Sequence, residues 1–145
     1  MTSEQDLLAV AAGLRSRFDD FRRALDRRED EAGRIALADF HAQLSRWTTA
    51  EERVLLPALA RASFPGRDPQ RELKLEYVQI RELTRYLLSQ IGERAPLADV
   101  LGLVENLERR LAAHESEMEK VYYPGAASLL TPEEWQLLGD AAPPP

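Results

Sequence analysis

Apolar residues recur at alternating spacings of three and four in four long segments of this 145-residue chain. That spacing puts the apolar side chains on one face of an α-helix, so each segment is predicted to be an amphipathic helix. The four stripes run from Leu7 to Leu25, from Leu37 to Val54, from Leu73 to Ile91 and from Val100 to Val121. Helices with such stripes bury them against one another in bundles. The sequence therefore predicts an all-α fold.

Turn-forming residues separate the stripes. Two segments that contain proline and glycine, FPGRDP (residues 64–69) and IGERAP (residues 91–96), predict the connections on either side of the third helix. Thr131 followed by Pro132 is typical of a helix start and predicts a short fifth helix that ends near Leu138. Short connections make successive helices antiparallel, which gives an up-down-up-down four-helix bundle over residues 1–140. Residues 141–145, AAPPP, are predicted to be a disordered proline-rich tail.

The composition narrows the function classes. Nineteen basic against 25 acidic side chains give a net charge of −6, and the basic residues are scattered, so a nucleic-acid binder is not expected. The absence of cysteine excludes disulfides, thiolate metal sites and cysteine nucleophiles. No apolar run approaches the ~20 residues of a membrane span, and the N-terminus lacks the basic region of a signal peptide. We therefore expect no membrane contact and a cytoplasmic location.

A second pattern is an internal repeat. Residues 41–57 read HAQLSRWTTAEERVLLP and residues 108–124, which lie 67 positions later, read ERRLAAHESEMEKVYYP. In both copies a leucine precedes a large ring by three residues, and a proline follows the ring by ten, but the ring is Trp47 in one copy and His114 in the other. The first and third stripes also match when one is shifted by 66 positions. The chain is therefore predicted to consist of two similar helical hairpins.

Three polar side chains interrupt the apolar stripes at a similar level: Glu51, Tyr77 and His114. Helices 2 and 4 of such a bundle are diagonal and parallel, so Glu51 and His114 are expected to lie within one helical turn of each other across the core. A buried carboxylate is costly unless it is paired or hydrogen-bonded, and Tyr77 and His114 are candidate partners for Glu51. Inward carboxylates and histidines on facing helices are also how di-iron sites are built, so a metal site is an alternative.

Each repeat follows the pattern His-x-x-x-Glu-Glu-x-x-x-x-Pro at all but one of its named positions. Two such segments in a four-helix bundle of this length resemble the hemerythrin-like, HHE cation-binding domains. The closing segment LLTPEEWQLL is similar to the short helix that ends many of these domains. The resemblance extends from about Leu7 to Leu138. It implies a four-helix bundle around a di-iron centre, with a metal-binding histidine and a bridging carboxylate four residues later on helices 2 and 4.

Each repeat keeps only half of the ligand pair that the resemblance implies. On helix 2 the carboxylate is present as Glu51, but Trp47 occupies the histidine position. On helix 4 the histidine is present as His114, but Met118 occupies the carboxylate position. Each copy therefore lacks the ligand that the other retains.

The other two helices also depart from the family pattern. The histidine positions that the resemblance implies fall at Ala11 or Leu14 on helix 1 and at Tyr77 on helix 3. Large side chains at the former ligand positions would fill the volume that a metal cluster vacates and so restore close packing. We expect no di-iron centre and no cofactor. If one ion is bound, iron or zinc held by Glu51, Tyr77 and His114 is the chemically sensible alternative.

No enzyme motif is present elsewhere. The chain has no glycine-rich phosphate loop, no helical His-Glu-x-x-His and no serine nucleophile elbow, so we expect no catalytic residue and no enzyme activity. The first hypothesis is a non-catalytic binding or regulatory module that acts on a protein partner, as a homodimer, or on a small apolar ligand in its core. The alternative is a protein that retains a single metal ion through Glu51 and His114, with a role in oxygen, nitric oxide or iron handling as the family implies.

Overall fold

The computed structural model describes all residues, Met1–Pro145, and contains helices and no strands. It confirms the predicted helical bundle with a short C-terminal helix. Five helices make up the chain, and two of them are widened by a π-helical turn. They are α1 (Glu4–Asp26), α2 (Asp30–Ala50, π turn Glu51–Leu55, then Leu56–Leu59), α3 (Pro69–Gly92), α4 (Leu97–Glu117, π turn Met118–Tyr122, then Tyr123–Ala127) and α5 (Pro132–Ala141).

Side-chain caps fix the start of three helices. The side chains of Ser3, Asp68 and Thr131 each accept a hydrogen bond from a backbone N–H in the first turn of α1, α3 and α5. Helix α5 continues to Ala141, three residues beyond the predicted end near Leu138. The reason is that Gly139 does not break the helix, which ends only where the prolines begin, since a residue before proline avoids the helical conformation.

The apolar stripes form a single core. Helix α1 packs along α2, α2 along α3 and α3 along α4, while α5 packs on α2. Phe18 of α1 contacts Phe21 and Phe40 with ring centroids 5.8 and 5.4 Å apart. The predicted stripes are buried except for four positions that are half-buried: Ala11, Leu25, Ile91 and Val121. None of the helices is both long and apolar enough to span a membrane.

The two π-helical turns occupy equivalent places in the repeat, and periodicity did not predict them. Each ends shortly before a proline, Pro57 or Pro124, which has no N–H to continue the α-helical ladder. A π turn holds one more residue than an α turn and so rotates the following residues around the helix. For this reason the predicted core position Val121 is only half-buried, while Tyr122 and Tyr123 are buried.

The repeat extends to the turns that join α1 to α2 and α3 to α4. Arg28 and Arg94, 66 positions apart, both adopt positive φ angles of 58° and 56°. In each turn the next residue, Glu29 or Ala95, donates a backbone hydrogen bond of 2.9 Å to the carbonyl five residues earlier. This is the helix-ending motif that usually places glycine at the left-handed position, so both arginines occupy a conformation that disfavours a side chain.

Replacing Arg28 by glycine is therefore expected to stabilise the protein by about 1 kcal/mol, because glycine adopts a positive φ without the steric cost. Chemical denaturation measures the change in the free energy of unfolding. The control is Arg27→Gly, one residue earlier at φ −87°, which should give no gain. Equal effects of the two substitutions would contradict the left-handed strain as the cause.

Candidate functional site

Glu51 lies at the centre of the bundle core, at the first position of the π turn in α2. Its side chain is 1% exposed. The hydroxyl of Tyr77, on α3, donates a hydrogen bond to Glu51 Oε2 at 3.2 Å, and the hydroxyl of Tyr123, on α4, donates to the same oxygen at 3.5 Å. Three helices therefore supply one carboxyl group and its two hydroxyl donors.

Burial strongly affects the protonation of these groups. Loss of solvent raises the pKa of Glu51 to about 7, although the nearby charge of His114 and the hydroxyls of Tyr77 and Tyr123 oppose the rise. Burial also raises the pKa of both tyrosines well above their usual value, and the neighbouring Glu51 carboxylate adds to the effect. Both tyrosines thus remain hydroxyl donors, while Glu51 changes charge near neutral pH.

His114 makes its hydrogen bond to a residue that the sequence did not indicate. Its Nδ1 lies 2.6 Å from Oε1 of Glu76 on α3, and no hydrogen bond joins it to Glu51. Of the two candidate partners of Glu51, His114 therefore does not form the hydrogen bond, because its Nδ1 is occupied by Glu76 of the adjacent helix. The pairing of Tyr77 with Glu51 is found as expected, and the Tyr77 ring packs edge-on to His114 with centroids 5.5 Å apart.

The charge of His114 depends on these acidic neighbours. Burial would lower the pKa of the imidazole, but the hydrogen bond to Glu76 and the charges of Glu51 and Glu76 outweigh it, so the pKa is raised. A raised pKa favours an imidazolium that donates from Nδ1 to Glu76. Nε2 makes no hydrogen bond within the chain, and His114 lines the same cavity as Glu51.

Large side chains fill most of the space between Glu51 and His114. Trp47 and Met118 are each 1% exposed, and the remaining cavity beside them measures about 40 Å³. The indole Nε1–H of Trp47 is buried and makes no hydrogen bond. It lies near enough to the Tyr123 hydroxyl to oppose part of the rise in the pKa of Tyr123. A cavity of this size holds a water molecule but not a cofactor.

Arg15 borders the cavity between α1 and α4. Its guanidinium lies 3.0 Å from Glu108 and 4.0 Å from Glu115 across the two helices, and 3.2 Å from Asp19 on its own helix. Arg15 and Glu115 both line the cavity. Partial burial raises the pKa of Glu115, and the charges of Arg15 and His114 oppose that rise. These ion pairs therefore lie at the edge of the cavity that Glu51 also lines.

The residues present do not fit a di-iron centre. Such centres in helical bundles use about six carboxylate and imidazole ligands. Here the core offers the carboxyl group of Glu51 and one free ring nitrogen of His114, and no group of three or more His, Cys, Asp or Glu side chains is arranged to hold a metal ion. The hydrogen-bond donor Trp47 stands where an imidazole ligand is implied by the resemblance, and an indole N–H offers no lone pair to a cation.

The structure brings Glu51, Tyr77 and His114 together, as the sequence predicted, and adds Glu76 and Tyr123. Glu76 precedes Tyr77 and lies three residues after Leu73, at the edge of the buried face. The sequence therefore indicated only weakly that its side chain contacts α4. Tyr123 had a clearer signal, because it corresponds to Leu56 in the other repeat and adds a hydroxyl to an otherwise apolar position.

Comparison with known proteins gives one match. Residues 12–126 match the family model described as the hemerythrin HHE cation binding domain. The match includes both repeats and the residues around Glu51 and His114. No curated protein and no solved structure matches the chain.

Proposed function

The chain belongs to the hemerythrin HHE cation-binding domain family, and we propose that it is a non-catalytic binding or regulatory module that works without a di-iron centre. The observation that carries this proposal is the pair of mismatched repeats in the core. Trp47 precedes Glu51 by four residues where a histidine is implied, and Met118 follows His114 by four residues where a carboxylate is implied. Both substitutions replace ligands by side chains that cannot supply a hard or borderline donor to a cation.

The packing of the core supports the same proposal. Trp47, Tyr77, Met118 and Tyr123 are all at most 2% exposed, and together they close the centre of the bundle. Ligand sites for small organic molecules typically measure ~300–1,000 Å³. Because the cavity beside Glu51 measures only about 40 Å³, a small apolar ligand in the core is the least favoured mode of action. A protein partner or a second copy of the chain, bound at the surface, is favoured instead.

One observation favours the alternative of a single bound metal ion. Metal-binding histidines commonly donate one ring N–H to a carboxylate, which orients the other nitrogen towards the metal. His114 has this arrangement with Glu76, and its ring faces the cavity that Glu51 also lines. Under this alternative the ion, iron or zinc, is held by Glu51 and His114 with Tyr77 nearby, and the protein serves oxygen, nitric oxide or iron handling.

Metal analysis of the purified protein separates the two functions. We expect the protein to be colourless, with less than stoichiometric iron, zinc and manganese, and to show no rise in melting temperature when Fe²⁺ or Zn²⁺ is added, since a ligand stabilises only a fold that binds it. The cytoplasmic location expected from the sequence is part of the same proposal.

The metal analysis also has an outcome that would contradict the proposal. Stoichiometric metal that disappears in Glu51→Ala and in His114→Ala would overturn the proposal and establish the single-ion alternative. The matched control is Glu119→Ala, which removes an exposed carboxylate one residue from Met118. Metal lost from this control as well would indicate adventitious surface binding.

A further inference from the structure

Exposed apolar side chains are concentrated on one face of α3. Five large apolar residues of the chain are strongly exposed, and three of them lie on this helix: Leu75 (58%), Val78 (48%) and Tyr86 (51%). The other two, Ile35 and Leu137, lie singly on α2 and α5. Single exposed apolar residues are ordinary, whereas three on one helix face call for an explanation.

These residues form a second stripe, opposite to the one that α3 buries. Leu75, Val78, Glu82 and Tyr86 follow at spacings of three, four and four, and we refer to them as the outer seam. The buried stripe of the same helix includes Leu73, Tyr77, Ile80, Thr84 and Leu87. A helix with a helical stripe on each side is suited to pack against a second partner.

We propose that the outer seam binds a second copy of this chain, with the two α3 helices packed antiparallel across a two-fold axis. In a two-fold contact the same surface meets itself, so the residues of one helix must complement those of the reversed helix. This inference rests on the proposed function, which favours a protein partner or a second copy, and it identifies the partner as a second copy of the chain. The proposal does not depend on whether the core binds metal.

One register pairs two apolar residues and two charged residues of this face, and it leaves Tyr86 opposite position 67, outside α3. A two-fold axis between positions 76 and 77 places Leu75 against Val78 of the partner subunit. Arg71 precedes Leu75 by four residues, and Glu82 follows Val78 by four. The same axis therefore places Arg71 opposite Glu82 of the partner subunit, and the pair occurs twice.

The charges of these residues are free to make that contact. Arg71 is exposed and forms no ion pair within its own chain. Glu82 pairs only with Arg85, one turn away, through a side chain that remains 57% exposed. An arginine of the partner could thus join Glu82 without breaking a buried contact. This self-complementarity favours a second copy over an unrelated protein.

The size of the helix face sets the strength of the contact. Helix α3 spans Pro69–Gly92, so an axis between positions 76 and 77 overlaps the two helices over residues 69–84, which is about 24 Å at ~1.5 Å per residue. A single pair of helices of that length buries less than the ~1,200 Å² of a standard interface. We therefore expect a weak dimer, which requires a high protein concentration to be detected.

Sedimentation equilibrium over a concentration series, from about 10 µM to about 1 mM, tests the proposal in the range expected for a small interface. The average mass should rise from that of one chain towards that of two. Leu75→Glu should abolish the rise. The matched controls are Ile35→Glu and Leu137→Glu, each at a residue 56% exposed, which should dimerise like the wild type.

Charge exchange tests the register. Arg71→Glu and Glu82→Arg should each weaken the dimer at least severalfold, and the double variant should recover it at low salt. A wild-type chain that stays monomeric throughout, or that dimerises unchanged with Leu75→Glu, would overturn the proposal. Recovery that fails in a folded double variant would overturn the two-fold register. All these outcomes are independent of metal content, so they are distinguishable from failure of the proposed function.

Discussion

The variant that carries Trp47→His, Tyr77→His and Met118→Glu is expected to be strongly destabilised without metal and to recover stability with Zn²⁺ or Fe²⁺. The three changes restore the ligand types that the family pattern implies. They also remove large side chains from positions that are at most 1% exposed, and such changes cost several kcal/mol each in a packed core. A new buried carboxylate at position 118 adds to the loss unless a cation pairs with it.

Urea denaturation with chelator and with added metal measures both effects. We expect the free energy of unfolding without metal to fall by more than about 3 kcal/mol, which is a large part of the total stability of a domain. Metal at a thousandfold excess over its dissociation constant should return about 4 kcal/mol. If the triple variant is unfolded in the presence of chelator, recovery of the helical circular dichroism signal on metal addition shows that metal stabilises the fold.

The control for this experiment adds Glu51→Gln to the three changes. It removes the one carboxylate that the natural core retains, so metal should no longer restore stability. An apo variant more stable than the wild type would contradict the idea that Trp47, Tyr77 and Met118 fill a vacated site. Equal rescue with and without Glu51 would show that the metal binds elsewhere.

The second large effect is a pH-dependent gain in stability from Glu51→Gln. In the folded protein the pKa of Glu51 is about 7, against 4.5 for an ordinary glutamate. Below pH 4.5 the carboxyl group is protonated in both the folded and the unfolded state. Between these two values the unfolded state loses its proton first, so the wild type loses stability as the pH rises. Above pH 7 both states are ionised and the loss is complete.

Glutamine is uncharged at every pH and does not suffer this loss. The variant should match the wild type near pH 4 and exceed its free energy of unfolding by roughly 3 kcal/mol at pH 8, since one pKa unit corresponds to ~1.4 kcal/mol. The raised pKa of His114 acts in the same direction, because the stability it contributes is also lost as the pH rises through its folded value. The hydrogen bond to Glu76 supplies a part of that contribution that is common to both proteins, whereas the part that comes from the charge of Glu51 is removed in the variant.

Urea denaturation at a series of pH values from 4 to 8 measures the difference. Glu119→Gln, at an exposed position, should run parallel to the wild type over the same range. A difference between Glu51→Gln and the wild type that stays constant with pH would show that Glu51 does not hold its proton in the folded core.

Much of the candidate site could be predicted from the sequence, because its residues interrupt apolar stripes. Glu51, Tyr77 and His114 interrupt stripes that are otherwise apolar, and a polar residue on a buried face is forced to find a partner. Their convergence in one layer followed from antiparallel helices with short connections. The hydrogen bond from Tyr77 to Glu51 was among the few pairings that this layer allowed.

The hydrogen-bond partner of His114 was not predictable in the same way, and the repeat indicated a hydroxyl at Tyr123 without indicating which group it binds. A long side chain at the edge of a stripe, such as Glu76, can point to solvent or reach across to the next helix, and periodicity does not distinguish the two. The π turns rotate the residues that follow, so the regular spacing that placed Val121 in the core failed one turn after Met118.

The sequence by itself determined the helices, their order in the bundle and the core positions of Glu51, Tyr77 and His114, because those features depend on spacing along one chain. Only the tertiary structure decided that His114 binds Glu76, that Tyr123 joins Tyr77 on Glu51 and that about 40 Å³ remains beside Trp47. Those features depend on distances between helices, where a shift of one residue or a few tenths of an ångström determines which polar atoms meet.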